Sequence, residues 1–260
     1  AVKDACVEMH LRGRCGATDK ILFYSAILAV VVACITADTC TNCIELDVAG
    51  NYVLLAGAAI TNNGASVITG NVGLHPGSAI TGFGTPCELN GVKDVANSAA
   101  NNAKNALTTA YNEAKGKDYD ALLGANLGVS PANSVLSPGV YKFGDTATVG
   151  ANGVLELIDT YTDDKGDTIT VINPTWTFQI PASLLFSEGS EVKFSGAGGV
   201  TADQVTWQVG SSATIMGRAK VIGNVLAYAS ITAGAQATVE GRLLARSAAV
   251  TVVSDVIIKP

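Results

Sequence analysis

The sequence predicts a mainly β protein, a parallel β-solenoid with one long α-helix packed alongside. Three observations carry that prediction. Short alternating runs punctuated by Gly and Asn fill the chain on either side of a single interruption. The C-terminal region repeats with a period near eighteen to twenty residues. The interruption, residues 92 to 115, lacks Gly and Pro and has helical periodicity.

The composition fits thin stacked layers. The 260 residues are 48% hydrophobic but only 6% aromatic, so the apolar weight lies in Ala, Val, Ile and Leu. Such a chain is too apolar for disorder, and its branched side chains suit sheet. A net charge of -6 with no Lys/Arg cluster offers no face for a phosphate backbone, which argues against nucleic acid.

At the N-terminus, residues 9 to 37 place Arg12, Arg14 and Lys20 before an apolar run from Ile21 to Ala33, then small residues to Ala37. This is the layout of a secretory leader, with 1–37 removed and 38–260 forming one domain. A retained N-terminal helical cap is the alternative reading. The apolar run is short and interrupted for a membrane span, so no stable span is expected in the mature chain. All six Cys lie in the first 87 residues. Cys40 and Cys43 form a C-x-x-C pair, but no second pair exists and neither His10 nor His75 has ligand spacing, so no metal or other cofactor is expected. The expectation is a disulfide from Cys40 or Cys43 to Cys87 in an exported protein.

From Ile44 the runs NYVLLAGAAITNNG, ASVITGNVGLHPG and SAITGFGTPC have the length and punctuation of strands with tight turns. The helix follows over 92–115, with Val95, Ala99, Ala103, Ala106, Ala110 and Ala114 on one narrow face and Gly116 as its stop. An Ala-lined stripe predicts close, flat packing on a sheet. Strands then resume. The last blocks, SATIMGRAKVIGNVLAYA, SITAGAQATVEGRLLARSA and AVTVVSDVII, set Thr214, Thr232 and Thr251 at spacings of 18 and 19 residues. Three short strands per period build a solenoid coil. VITGNV at 67–72 matches VIGNV at 221–225 and VEGRL at 239–243, so Gly in each marks a corner and the early block belongs to the same solenoid.

Strand alternation then assigns a face. In AIT (59–61), SAT (212–214), SIT (230–232) and AVT (249–251) the middle residue points inward. The flanking residues form two outward columns, one of Ala59, Ser212, Ser230 and Ala249, the other of Thr61, Thr214, Thr232 and Thr251. Thr146 and Thr148 of TAT extend the columns, and Ser183 of SLL does so less well because Leu185 follows it. An ordinary solvated strand carries Lys and Glu, which also guard against edge association. These columns carry no charge in any coil.

The blocks NYVLLAGAAITNNGASVITGNVGLHPGSAITGFG, LSPGVYKFG, TATVGANGVLEL, TWTFQI, VTWQVGSSATI and VEGRLLARSAAVT, in this order around a long helix, resemble the large microbial ice-binding protein family. The resemblance covers about Leu46 to Ile258. It implies a discontinuous, right-handed solenoid of triangular cross-section. It also implies adsorption to an ice crystal surface through one flat Thr/Ala-rich face, with thermal hysteresis, inhibition of ice recrystallisation and a secreted, monomeric protein. Two departures stand out: the 37-residue leader with three Cys, and Leu185 on the face.

Other functions find less support. Asp163, Asp164 and Asp167 read as a polar turn without a partnered acid or base, and neither a nucleophile triad nor a phosphate loop is present, so the protein is not expected to be an enzyme. An extracellular adhesin or polysaccharide-binding module is the alternative, but Trp176 and Trp207 alternate with apolar residues and read as core rather than as sugar platforms.

Overall fold

One coil shows how the architecture arises. In the computed structural model, which describes residues 43–258 except 163–164 and 197–198, the chain runs through Ile231–Ala233, turns, and continues as Thr238–Ala245 before reaching Val250–Val252. The long strand bends at Gly241, as its neighbour Lys220–Ala227 bends at Gly223, so each serves two sides of the coil. Both glycines have positive φ, 145° and 113°, a region L side chains rarely enter. They also lie in register, and a methyl on Gly241 would collide with the carbonyl oxygen of Gly223. Gly70 of VITGNV repeats the geometry with φ 134°, so the three matching motifs are corners of one solenoid.

The opposite corner does not depend on glycine. There Asn152, Arg218, Gln236 and Ser254 hold positive φ between 50° and 66°, short of the sterically harder region used by Gly241. Gly70, Gly223 and Gly241 thus mark corners as expected, while this edge turns on other residues.

Two parallel sheets result. A 15-stranded sheet supplies two sides, and an eight-stranded sheet supplies the third. Their inner faces share one core, in which Ile60, Val250, Ile231, Ile215, Phe186 and Val149 meet Val225, Leu243, Phe178 and Trp207. Each fully buried aliphatic or Phe side chain contributes roughly 1.5–3 kcal/mol. Trp207 stacks on Phe178 with centroids 4.0 Å apart, and its indole N–H donates to Ile222 O at 3.0 Å. Trp176 is equally buried and donates to Leu136 O. Both are core, as their alternation predicted.

The helix α1 spans Ser98–Gly116 and begins six residues later than the periodicity suggests. Residues Lys93–Val95 pair with Asn71–Leu74 as a strand, and Asn97 accepts a hydrogen bond from Ala100 N at 2.9 Å, which fixes the start. The buried stripe is Ala100, Ala103, Lys104, Leu107, Ala110, Tyr111 and Ala114. Ala99 is exposed and Val95 lies off the helix, so the all-alanine face is corrected to one that includes Leu107 and Tyr111. These pack on Tyr52, Leu55, Leu226 and Leu244 of the larger sheet. The stop at Gly116 is as expected.

The helix also explains the broken order of the stack. Its 19 residues reach roughly 28 Å at 1.5 Å each. Eight strands about 4.8 Å apart span roughly 34 Å. The chain therefore uses α1 to travel most of the stack's length, then returns strand by strand. The early strand Ala59–Asn62 docks on the late strand Val250–Val252, placing the first coils on top of the last.

The proposed leader 1–37, with its three cysteines Cys6, Cys15 and Cys34, lies outside the described residues, and so does Cys40 beyond it. The disulfide expectation is overturned at its other end: Cys87 is a free, partly buried thiol, and Cys43 is disulfide-bonded but not to Cys87. Asp163 and Asp164 also lie outside the described residues. The strands flanking them, Thr160–Thr162 and Thr168–Thr170, form an antiparallel hairpin, which agrees with the polar-turn reading.

Candidate functional site

The eight-stranded sheet runs, in spatial order, through Ala79–Thr81, Ala59–Asn62, Val250–Val252, Ile231–Ala233, Ala213–Ile215, Leu184–Phe186, Ala147–Val149 and Asn126–Leu127. Its inward residues are apolar and buried, including Ile60, Val250, Ile231, Ala213, Leu184 and Ala147. Burial of one residue forces its neighbours to the other face.

The register aligns those neighbours. Thr81, Thr61, Thr251, Thr232, Thr214, Leu185, Thr148 and Asn126 stand opposite one another from end to end of the sheet. Two residues back along each strand lies a second column. Ala59 pairs with Ala79, and backbone bonds from Ile231 N to Ala249 O, Ala213 N to Ser230 O, Leu184 N to Ser212 O and Ala147 N to Ser183 O carry it onward toward Thr146. The Ser212 and Ser230 hydroxyls bond across strands at 2.9 Å.

The eleven sequence-predicted residues therefore share one face. Thr146, Ser183, Thr214 and Thr232 are exposed, and Ala59, Thr61, Thr148, Ser212, Ser230, Ala249 and Thr251 are partly so. Three residues of the same columns were missed. Ala79 and Thr81 have a plain signal, since AIT at 79–81 copies AIT at 59–61, and their strands pair directly with a Thr81 to Thr61 hydroxyl bond at 3.4 Å. Asn126 belongs to a two-residue strand that carries no such motif.

Spacing and chemistry make this face unlike the rest of the surface. Strands repeat at about 4.8 Å across the sheet and outward residues at roughly 6.6 Å along each strand, which yields a regular grid. No member of either column is charged. The larger sheet shows that this is not general to the molecule: its outward residues pair as Glu156 with Lys193 at 3.5 Å and Glu191 with Lys220 at 3.4 Å. Among the described residues no cluster of His, Cys, Asp and Glu is placed to hold a metal ion.

The family model described as ice-binding-like matches residues 54–258. The chain belongs to that family. The match opens in the strand Tyr52–Ala56 and closes in Val256–Ile258, so it covers the interrupted stack and α1 together. The ice-binding protein of Nostoc sp. (strain HG1) is 34% identical over 235 residues, covering 88% of this chain and 79% of that protein. Ice-binding protein K1-A of Typhula ishikariensis is 32% identical, over 78% of this chain and 84% of its own. The crystal structure of an ice-binding protein from an Antarctic biological consortium superposes with a TM-score of 0.72 at 36% identity, covering 84% of this chain and 91% of that one. That from the Antarctic ascomycete Antarctomyces psychrotrophicus does so with a TM-score of 0.71 at 29% identity, covering 84% and 98%.

Proposed function

We propose that this protein is an antifreeze protein that adsorbs to ice through the outer face of its eight-stranded sheet. The observation that carries the reading is the register itself: uncharged, mostly hydroxyl- and methyl-bearing residues aligned across all eight strands. Methyl groups leave neighbouring water to bond with itself, and Thr and Ser hydroxyls hold some of those waters by direct hydrogen bonds. A charged side chain would orient water radially around itself instead.

Rigidity makes the array effective. The inward half of every strand is locked in the core, so little conformational entropy remains to be lost when the face meets a crystal. Many weak contacts then act together. Ala59, Thr61, Thr146, Thr148, Ser183, Ser212, Thr214, Ser230, Thr232, Ala249 and Thr251 form the contact set, to which the ladder adds Ala79, Thr81 and Asn126. Adsorption of this kind pins the growing front, which yields thermal hysteresis and inhibits recrystallisation. The function needs no catalysis and no cofactor.

The same reading places the protein outside the cell, acting as a monomer through the domain 38–260, with 1–37 as its export leader. No helix among the described residues is long and apolar enough to cross a membrane. The test is a fluorescently labelled protein in a growing ice hemisphere. Incorporation with shaped crystals is expected, whereas exclusion from the ice would refute the reading.

A further inference from the structure

At the corner where α1 meets the larger sheet lies a cavity of about 400 Å³, lined in part by Tyr111, Lys115, Lys142, Gln208, Tyr228 and Arg246. A cavity of that size holds a small organic molecule. Its electrostatics run against those of the chain. The sequence carries a net charge of -6, yet three cations and no Asp or Glu line this cavity.

Two of its donors are buried without an acceptor. Gln208 is 2% exposed and its Nε2 has no hydrogen-bond partner, and the Nε of Arg246 is in the same condition. Native proteins rarely leave buried donors unmet. The contrast with Gln179, the next residue in the same sheet column, is direct: its amide donates to Ala114 O at 2.9 Å and Lys117 O at 2.7 Å and closes the end of α1. The Tyr111 hydroxyl donates instead to Val209 O at 3.4 Å. Burial pushes its pKa up, opposed first by a side-chain interaction with Gln208 and then by the Arg246 charge; the Gln208 amide nitrogen approaches that hydroxyl without hydrogen-bond geometry, so its donor is at best weakly met.

Arg246 is held as a recognition element. Its guanidinium lies 4.5 Å from the centroid of Tyr111 and 5.4 Å from that of Tyr228. Stacking occupies the faces of the guanidinium and leaves its in-plane donors fixed in direction, the arrangement that suits a two-oxygen acceptor. Lys115 and Lys142 add charge without competing for geometry.

We propose that this cavity is a binding site for an oxyanion, a carboxylate or sulfate group, with Arg246 and Gln208 as the donors that orient it. The site is independent of the ice-contact face. Its test is calorimetric titration of the full chain at low ionic strength with sodium glucuronate, with sodium sulfate and with glucose as a neutral control. Saturable one-to-one binding of either anion, weakened by added NaCl, is expected, and none of glucose. Binding of glucuronate alone assigns an organic acid, and binding of sulfate assigns the oxyanion itself.

Arg246→Gln and Lys142→Gln should each weaken binding about tenfold, as loss of a charge-assisted contact implies. Gln208→Glu supplies an internal carboxylate to the same donors and should abolish binding while thermal hysteresis persists, which separates the site from folding and from ice adsorption. Absence of saturable binding of both anions at roughly 10 mM, a concentration that detects even weak sites, or binding unaffected by all three substitutions, overturns the proposal.

Discussion

Thr61 stands directly opposite Thr251 in parallel register, although one belongs to the first coil of the chain and the other to the last. The seam between these coils is specific. Asp255 N donates to Ser66 Oγ at 3.1 Å, Val67 N donates to Asp255 O at 2.8 Å, and Arg242 Nε reaches Gly50 O at 3.0 Å. The consequence is a threonine ladder without a break where the chain order breaks. Thr81 extends it beyond Thr61, away from the seam.

Position in the ladder sets the first prediction. Thr214 and Thr232 lie in the interior of the stack and are exposed, so a tyrosine at either raises a ring above the grid on both sides of the defect. Thr232→Tyr and Thr214→Tyr should lower thermal hysteresis several-fold while changing unfolding free energy by about 0.5 kcal/mol or less, as for other exposed sites. Thr81→Tyr, on the terminal strand, should lower it less. Nanolitre osmometry beside denaturant unfolding checks both, and unaltered hysteresis in the two interior variants would move the contact set to another face.

Leu185 gives a prediction of the opposite sign. It pairs with Thr214 on one side and Thr148 on the other, so it is the one large aliphatic side chain in the column. Being only partly buried, it contributes little to the core, and Thr suits a strand. Leu185→Thr should therefore raise hysteresis with stability lowered by about 1 kcal/mol or less. A fall in hysteresis would show that the leucine methyls themselves contribute to adsorption.

Those two residues also show how much was legible in the chain. Thr232 could be placed from sequence because period-two burial is local: an inward Ile231 dictates an outward Thr232. The corner role of Gly70, Gly223 and Gly241 was legible for a similar reason, since the motif repeats wherever the backbone must bend. The start of α1 was not, because Lys93–Val95 has no helix-breaking residue and is claimed as strand only by Asn71–Leu74, a tertiary partner. Cys87 was misassigned on the same ground. Its distance from other cysteines is set by how the first coils dock, which spacing in the sequence does not encode. The Arg246 cavity was illegible because its residues come from α1, three strands and the turns that follow four strands, with no shared motif.

The glycine corners predict a pair of contrasting substitutions. Gly241→Ala forces a side chain into φ 145° and into the Gly223 carbonyl, with backbone rather than a flexible side chain in the way. The cost should be about 3 kcal/mol or more. Gly116→Ala meets nothing within 4 Å at the end of α1 and should stabilise the protein by up to about 1 kcal/mol. Equilibrium unfolding in guanidinium checks both, and equal effects would remove the corner argument.

Asp255 predicts how stability follows pH. It is fully buried at the seam, where its carboxylate accepts from Ala237 N at 3.0 Å and Val253 N at 2.8 Å. Burial outweighs these two bonds and pushes its pKa from the ordinary 3.8 up to about 6. The folded protein thus binds a proton that the unfolded chain does not between those two values. The destabilisation from the charged form is present in full above pH 6 and is relieved as pH falls toward 3.8. Asp255→Asn removes this titration, at the expense of the bond from Val253 N, which an amide nitrogen cannot accept. Acidification from neutral pH to near 4.5 should therefore shift the melting temperature of the parent protein upward relative to that of the variant. Neither outward column contains a titratable side chain, so hysteresis should stay constant over the same range. Melting curves that move in parallel with pH would show that the Asp255 carboxylate is not destabilised in the fold.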